Sequence, residues 1–317
     1  MNRIWKNRIR RIISSACVLI GFVLAVSFAP SLDKLQEAHA FMEADGFMKG
    51  NGVLIGRVED GKTRIWFLTS RHEVLGQMLT TNKAFIDGAY PDYTICIRKK
   101  GCAFRYVRIS NVDPNRWMTI RDVKQDFAWI ELTSDEMARV TGGDGLPRYV
   151  DLDHEVLREI DYSTAGFTVG GELRMLTTVA PVIGDGEAWE KWYLPYGLSY
   201  PGIGGVVVVP YYSRFTLMNL RDQIELRLSA YEGGGSVSRP VHILKGSVHV
   251  NNSGSPMFVD CESEAGSKRL LVGLMTAGAS GLSAFQSIDS VLPGINGEPG
   301  GARAVKLVDY AFKGERR

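Results

Sequence analysis

Gly52-Val53-Leu54-Ile55-Gly56-Arg57-Val58-Glu59-Asp60-Gly61-Lys62-Thr63-Arg64-Ile65-Trp66-Phe67-Leu68-Thr69-Ser70-Arg71-His72 carries the strongest structural signal in the chain. Two apolar runs, Gly52–Val58 and Thr63–Thr69, flank Asp60-Gly61, a dipeptide suited to the tight turn of a β-hairpin. The second run ends in polar residues and a histidine, so His72 is predicted just past a buried strand, at a sheet end. Further strands are expected at Tyr93–Arg98, Phe104–Ile109, Phe127–Leu132, Gly166–Val169, Leu173–Val179, Val206–Tyr211, Gln223–Leu228, Pro240–Lys245, Ser247–Val250, Met257–Val259, Leu270–Met275 and Ala304–Leu307. Gly-rich punctuation separates many of them, and helical pattern is confined to Ser134–Val140 and Asp309–Phe312. Many short strands spaced in this way predict an all-β body of closed antiparallel sheets. A connector near residue 160, Asp161-Tyr162-Ser163-Thr164, divides it into halves over 50–160 and 161–317.

The chain has 317 residues, 45% hydrophobic and 23% charged, with 35 Gly and 4 Cys. That apolar content excludes disorder, the aperiodic glycines exclude collagen, and four cysteines are too few for a disulfide miniprotein. Only one long uncharged apolar stretch exists, so a multi-span membrane protein is also excluded. The net charge of +2 divides unevenly: residues 1–40 hold six basic and two acidic groups, leaving the other 277 residues at −2. A nearly neutral body offers no footprint for a nucleic-acid partner.

Five basic residues precede the 18 uncharged residues Ile12–Ala29, and Ala38-His39-Ala40 supplies a small-x-small site. This is the layout of an export signal. At about 1.5 Å rise per residue the same 18 residues also nearly span a hydrocarbon core, so an uncleaved anchor is the alternative. Residues 1–40 are read as signal peptide or anchor and 41–49 as linker. Either reading exports the body, to the periplasm or beyond, with membrane contact only through the N-terminal segment. Arg10-Arg11 hints at a twin-arginine route. Cys96 and Cys102 flank a candidate hairpin turn. An oxidising compartment would favour a bridge there, geometry could forbid one, and both states stay open. Cys261 reads as an ordinary buried thiol.

Asn251-Asn252-Ser253-Gly254-Ser255-Pro256 lies between two predicted strands. Small residues let such a loop turn sharply, expose the Ser253 hydroxyl and aim backbone N–H groups at one point, where each oxyanion donor is worth roughly 3 kcal/mol. A serine hydroxyl needs a base. Of the five histidines, His39 falls in the leader, His154 in a charged surface stretch, and His242 and His249 in strands near Ser253, where they read as structural or pocket-lining. His72 remains. The base in turn needs an orienting carboxylate, and Asp126 stands directly before the apolar run Phe127–Leu132. Taken singly, a polar loop or a solvated turn aspartate explains each segment as well. Jointly, His72, Asp126 and Ser253 follow in that order, 54 and 127 residues apart, each at a strand end.

At these residues the sequence resembles the chymotrypsin-like (trypsin-like) serine peptidases, especially the bacterial branch of glutamyl endopeptidases and HtrA-type catalytic domains. Thr69-Ser70-Arg71-His72, Asp126-Phe127-Ala128-Trp129-Ile130 and Asn252-Ser253-Gly254-Ser255-Pro256 carry the likeness, which spans roughly residues 50–313. The resemblance implies two antiparallel β-barrels with the active site in the cleft between them, and hydrolysis of a protein or peptide substrate without metal or other cofactor. Ser253 would attack the carbonyl, His72 would shuttle the proton and Asp126 would hold the imidazole. Backbone N–H groups of Asn251 and Ser253 would form the oxyanion hole. Asn251 stands where the family usually has glycine, and Asn252 where its animal branch has aspartate, so activation by a buried new N-terminus is not expected. By the same likeness Ser247, Val248, Thr276, Ala277 and Gly278 would line the substrate pocket; none is charged, which favours a small or medium apolar residue before the cleaved bond. Residues 188–215, rich in Trp and Tyr, read as an inserted hairpin or lid. No appended peptide-binding domain of the HtrA kind is expected.

Two other chemistries fail on spacing. His72-Glu73 and His154-Glu155 would need a histidine at the fifth position of a zinc helix, where Gly76 and Arg158 stand. No Gly-x-x-x-x-Gly-Lys phosphate loop occurs. The rival is an inert scaffold of the same fold that binds protein without turning it over.

Overall fold

The hairpin forms as predicted: β2 (Phe47–Glu59) and β3 (Lys62–Ser70) pair antiparallel, with Glu59 opposite Lys62 across a two-residue turn. Asp60 and Gly61 both take positive φ, 50° and 74°, the left-handed geometry that a two-residue hairpin turn demands. In this computed structural model the described residues are 36–45, 47–75, 88–99, 106–122, 124–157, 172–179, 209–217, 230–232, 235–237, 242–245, 252–263, 266–279, 282–298 and 303–313.

Around the hairpin lie β1 (His39–Ala44), the short helix α1 (Arg71–Leu75), β4 (Tyr93–Arg98), β5 (Tyr106–Ile109), β6 (Met118–Ile120), β7 (Phe127–Glu131), helix α2 (Ser134–Thr141) and β8 (Val150–Asp151). The later half holds β9 (Glu172–Val179), β10 (Val209–Leu217), β11 (Ala230–Glu232), β12 (Gly235–Val237), β13 (His242–Lys245), β14 (Pro256–Ser263), β15 (Gly266–Ala279), β16 (Leu282–Ser287), helix α3 (Leu292–Ile295), β17 (Ala304–Lys306) and helix α4 (Leu307–Lys313). The first sheet runs β17-β6-β7-β3-β2-β1-β4-β5, with β8 parallel to β2, and the second is a closed barrel, β10-β13-β16-β15-β14-β9. β11 and β12 form a separate hairpin. This all-β, antiparallel two-sheet architecture is the fold class the sequence predicts.

The first sheet curls round a core that joins strands from both ends of its path: Ile109 of β5 and Leu307 of α4 share it with Leu54, Phe67 and Ile130. Trp117 stands at its centre, edge-on to Phe67 and Tyr93 at 6.0 and 6.1 Å between ring centroids. Burying each such aliphatic or aromatic side chain stabilises the fold by about 1.5–3 kcal/mol. A second cluster sets Val53, Leu68 and Phe127 of the first sheet against Phe258, Leu274 and Ile288 of the second half. That apolar seam presses the two sheets together. α2 starts from a capping box, Thr133 and Glu136 bonding reciprocally, and stops at Gly142 with φ 71°.

Several sequence expectations change. The stretch 41–49 is not a linker: β1 sits between β2 and β4, every residue buried, and continues into β2. Ala38, His39 and Ala40 are likewise buried in the sheet, so the end of the expected leader belongs to the body. The C-terminal segment does not stay with the second half, because β17 pairs with β6 and α4 buries Leu307, Val308 and Ala311 in the first core. Within the expected insertion 188–215, residues 209–215 are barrel wall, paired residue for residue with β9; 188–208 lie outside the described residues. Cys96 is a free, buried thiol, opposite Phe41 and Arg108 on its two neighbouring strands. Burial pushes its ionisation well up, with Glu43 adding to the shift. Cys102 and Cys261's side chain lie outside the described residues, as do the strands expected at 166–169, 223–228 and 247–250. Among the described residues no helix is long and apolar enough to cross a membrane, and residues 12–29 are not among them.

Candidate active site

β3 ends at Ser70, and the chain turns at once into α1, which carries His72. Both ends of α1 are tied down. Arg71 N–H donates to the Asp126 carbonyl (3.1 Å), and the Tyr93 hydroxyl donates to the Val74 carbonyl (2.8 Å). The Arg71 side chain is buried. Its guanidinium donates to the Ile120 and Asp122 carbonyls and lies 4.3 Å over the Tyr310 ring.

Asp126 precedes β7, and its side chain is fully buried. A buried carboxylate must be hydrogen-bonded, and here both oxygens are. Oδ2 lies 2.6 Å from His72 Nδ1 and accepts the Thr276 hydroxyl at 2.7 Å, while Oδ1 accepts the His72 backbone N–H at 3.0 Å. The Asp126 N–H donates to Gln286 Oε1 (2.7 Å), and Gln286 Nε2 donates to the Lys124 carbonyl (2.8 Å). β15 and β16 of the second sheet therefore hold an acid that belongs to the first. Thr276, expected to line the substrate pocket, donates its hydroxyl to Asp126. Gln286 gives no sequence signal for this part, because the pairing spans 160 residues.

Ser253 is half-buried at the entry to β14. Its carbonyl accepts from Asn51 N–H (2.8 Å), and Gly254 N–H donates to the Met275 carbonyl (2.7 Å). Gly254 has φ 78°, and a Cβ there would meet the Asn51 oxygen at 2.1 Å and Thr69 Oγ1 at 2.5 Å, so only glycine fits. The serine loop thus lies flat against Asn51 and Thr69, three residues before His72. Ser70 Oγ adds a bond to the Met275 carbonyl (3.1 Å). Asn251, Ser247 and Val248 lie outside the described residues; Ala277 is half-buried on β15, and Gly278 is also on that strand.

The charge state of His72 is unusual for a general base. Burial alone would lower its pKa, but the Asp126 charge and hydrogen bond, followed by the nearby Glu73 carboxylate, outweigh it and raise the value to about 10. Glu73 is the residue that the sequence reading passed over, weighing it only as part of a zinc motif. Its Oε1 stands 3.0 Å from His72 Nε2, the nitrogen that would have to face Ser253. Among the described residues no hydrogen bond links Ser253 to His72.

The remaining histidines serve elsewhere. His39 is buried in β1, with Nε2 2.9 Å from Asn51 Oδ1 and Nδ1 3.3 Å from the Tyr106 hydroxyl, which corrects its placement in a leader. His154 is exposed beside Asp151 (3.0 Å). His242 packs on Phe285, and burial lowers its pKa to about 4. No group of acidic, histidine and cysteine side chains with metal-binding geometry occurs among the described residues.

No protein-family model and no curated protein sequence matches the chain. Among solved structures it is similar to a mutant of human heparin-binding protein (14% identity, TM-score 0.46, covering 84% of this chain and 95% of that one). It is similar also to mouse neuropsin, a serine protease (12%, 0.43, 84% and 95%), and to a mutant of the tobacco etch virus protease (10%, 0.42, 86% and 83%). These likenesses are remote.

Proposed function

We propose that the chain is a serine endopeptidase, exported, acting through Ser253, His72 and Asp126. The observation that supports this reading most is the buried Asp126 carboxylate bound to both the ring and the backbone of His72, a geometry that holds an imidazole in one tautomer and orientation. The serine loop packed on Asn51 and Thr69 supports the same reading, as do the three sequence blocks, which alone suggest the bacterial glutamyl-endopeptidase and HtrA branch. In the proposed reaction Ser253 Oγ adds to the peptide carbonyl as its proton passes to His72 Nε2. Backbone N–H groups of the serine loop stabilise the oxyanion, and His72 returns the proton to the departing amine. Water then repeats the sequence on the acyl-enzyme and frees the acid. Export rests on the basic flank and the uncharged residues 12–29.

A second reading, an inert protein-binding scaffold, is favoured by one observation: Glu73, not Ser253, faces Nε2. Labelling of the full chain with a serine-directed fluorophosphonate separates the two. The peptidase reading expects covalent modification at Ser253, located by peptide mass mapping, and its disappearance in Ser253→Ala. A folded protein that takes no label at Ser253 over hours at pH 7 to 10 identifies the scaffold.

A further inference from the structure

His72 lies between two carboxylates rather than between an acid and a serine. Asp126 meets Nδ1 at 2.6 Å and Glu73 meets Nε2 at 3.0 Å. The Glu73 side chain is 3% exposed, and Oε1 is buried without an aligned hydrogen bond, off the axis of the ring N–H. A carboxylate that deep is costly unless a positive charge offsets it, and the imidazolium is the cation in contact with it. The fold makes room for this arrangement. Gly50 of β2 lies under the Glu73 side chain, and a Cβ there would stand 2.6 Å from Glu73 Cγ. Charge reaches the ring from Asp126, ahead of β7, and from Glu73, on α1. β2 and β15 contribute Gly50 and the Thr276 hydroxyl, neither of them charged, and the Arg71 guanidinium is engaged by the Ile120 carbonyl and the Tyr310 ring.

We infer that Glu73 is a positioning residue that restrains the proposed base: standing beside Nε2, it favours the imidazolium, which cannot take the Ser253 proton. An imidazolium has no lone pair on Nε2 with which to take the serine proton. Turnover in this state rises only as pH climbs high enough to strip the ring, or when substrate displaces Glu73. The sign follows from the charge: removing a carboxylate disfavours the protonated ring, so the ring deprotonates at lower pH and the base works at lower pH.

This inference rests on the peptidase reading for its consequence but not for its ion pair, and two readouts on the full chain separate them. In ¹⁵N-histidine spectra from pH 5 to 11, Glu73→Gln, close in size and shape, should lower the His72 titration by about one to three pH units. The fluorophosphonate labelling rate at Ser253 should rise about tenfold or more at pH 7, with its acid limb moved down by the same interval. Gly50→Ala, which crowds Glu73, should shift both readouts the same way, and guards against a local defect of the glutamine variant. An unmoved titration in both variants overturns the inference whatever the labelling does. A lowered titration with labelling unchanged from an active wild type overturns the restraint. A lowered titration with no labelling in any form supports the ion pair and sinks the peptidase reading instead.

Discussion

His39, buried in β1, and His72, half-buried on α1, have charge states that run in opposite directions. For His39, burial dominates, the Arg98 charge adds to it, and the hydrogen bond accepted by Asn51 Oδ1 does not compensate; its pKa falls to about 3. For His72, the same burial effect is overturned by Asp126 and Glu73, and the pKa rises to about 10. The rings differ in what their nitrogens touch: an amide and a phenol in β1, two carboxylates on α1. Burial sets the cost of charge, but the partner decides whether the charge is carried. The neutral ring is a strut that ties β1 to Asn51, whose backbone holds the Ser253 carbonyl. The charged ring is the one that the proposed mechanism needs as a base, and it can serve only after losing its proton.

The largest test of this contrast removes the charge that distinguishes the two sites. Asp126→Asn keeps the shape but leaves His72 without its Nδ1 carboxylate, and the peptidase reading expects kcat to fall by roughly 10⁴. Peptide hydrolysis within tenfold of wild type would mean that Asp126 is only a structural anchor. A smaller effect is expected in stability against pH. A raised folded-state pKa contributes stability that is fully present below about 6.5, the unfolded value, and is lost as pH rises through about 10; a lowered one, as at His39, contributes stability present above about 6.5 and lost as pH falls toward about 3. Urea unfolding midpoints should therefore decline on both sides of neutrality. His72→Gln should flatten only the alkaline side, by on the order of a few kcal/mol between pH 7 and 10. An alkaline decline of equal size in that variant would remove His72 as its source. The smallest effect converts one site toward the other: Asn51→Asp gives His39 a carboxylate partner, which should raise its titration by about one to three pH units, read from the ¹⁵N shifts of the ring. No change would show that Arg98 and burial override any partner at that position.

The sequence exposed the elements whose patterns are local. β4 coincides with its predicted limits, the β2–β3 turn follows from Asp60-Gly61, and α2 covers the helical pattern expected at Ser134–Val140. β1 gave no alternation to read, because it is covered on both faces and buries His39 and Glu43 among apolar residues; its polar groups are satisfied by Asn51, Tyr106 and Arg108, all from other strands. β16 likewise escaped notice, although it closes the second barrel.

At the candidate site, the residue types and order of His72, Asp126 and Ser253 were legible in the chain, since a turn of small residues and an acid ahead of an apolar strand are one-dimensional signals. What stands against each of them was not. Thr276 and Gln286 reach Asp126 from across the seam, and the placement of Glu73 depends on the empty volume above Gly50, which only the packed sheets define. Local chemistry is written in neighbours along the chain, whereas the charge on a buried ring is set by groups that meet only when distant strands pack. The primary structure by itself determined an all-β chain with those three side chains at strand ends. Tertiary structure alone decided which carboxylates reach the imidazole, and at which nitrogen.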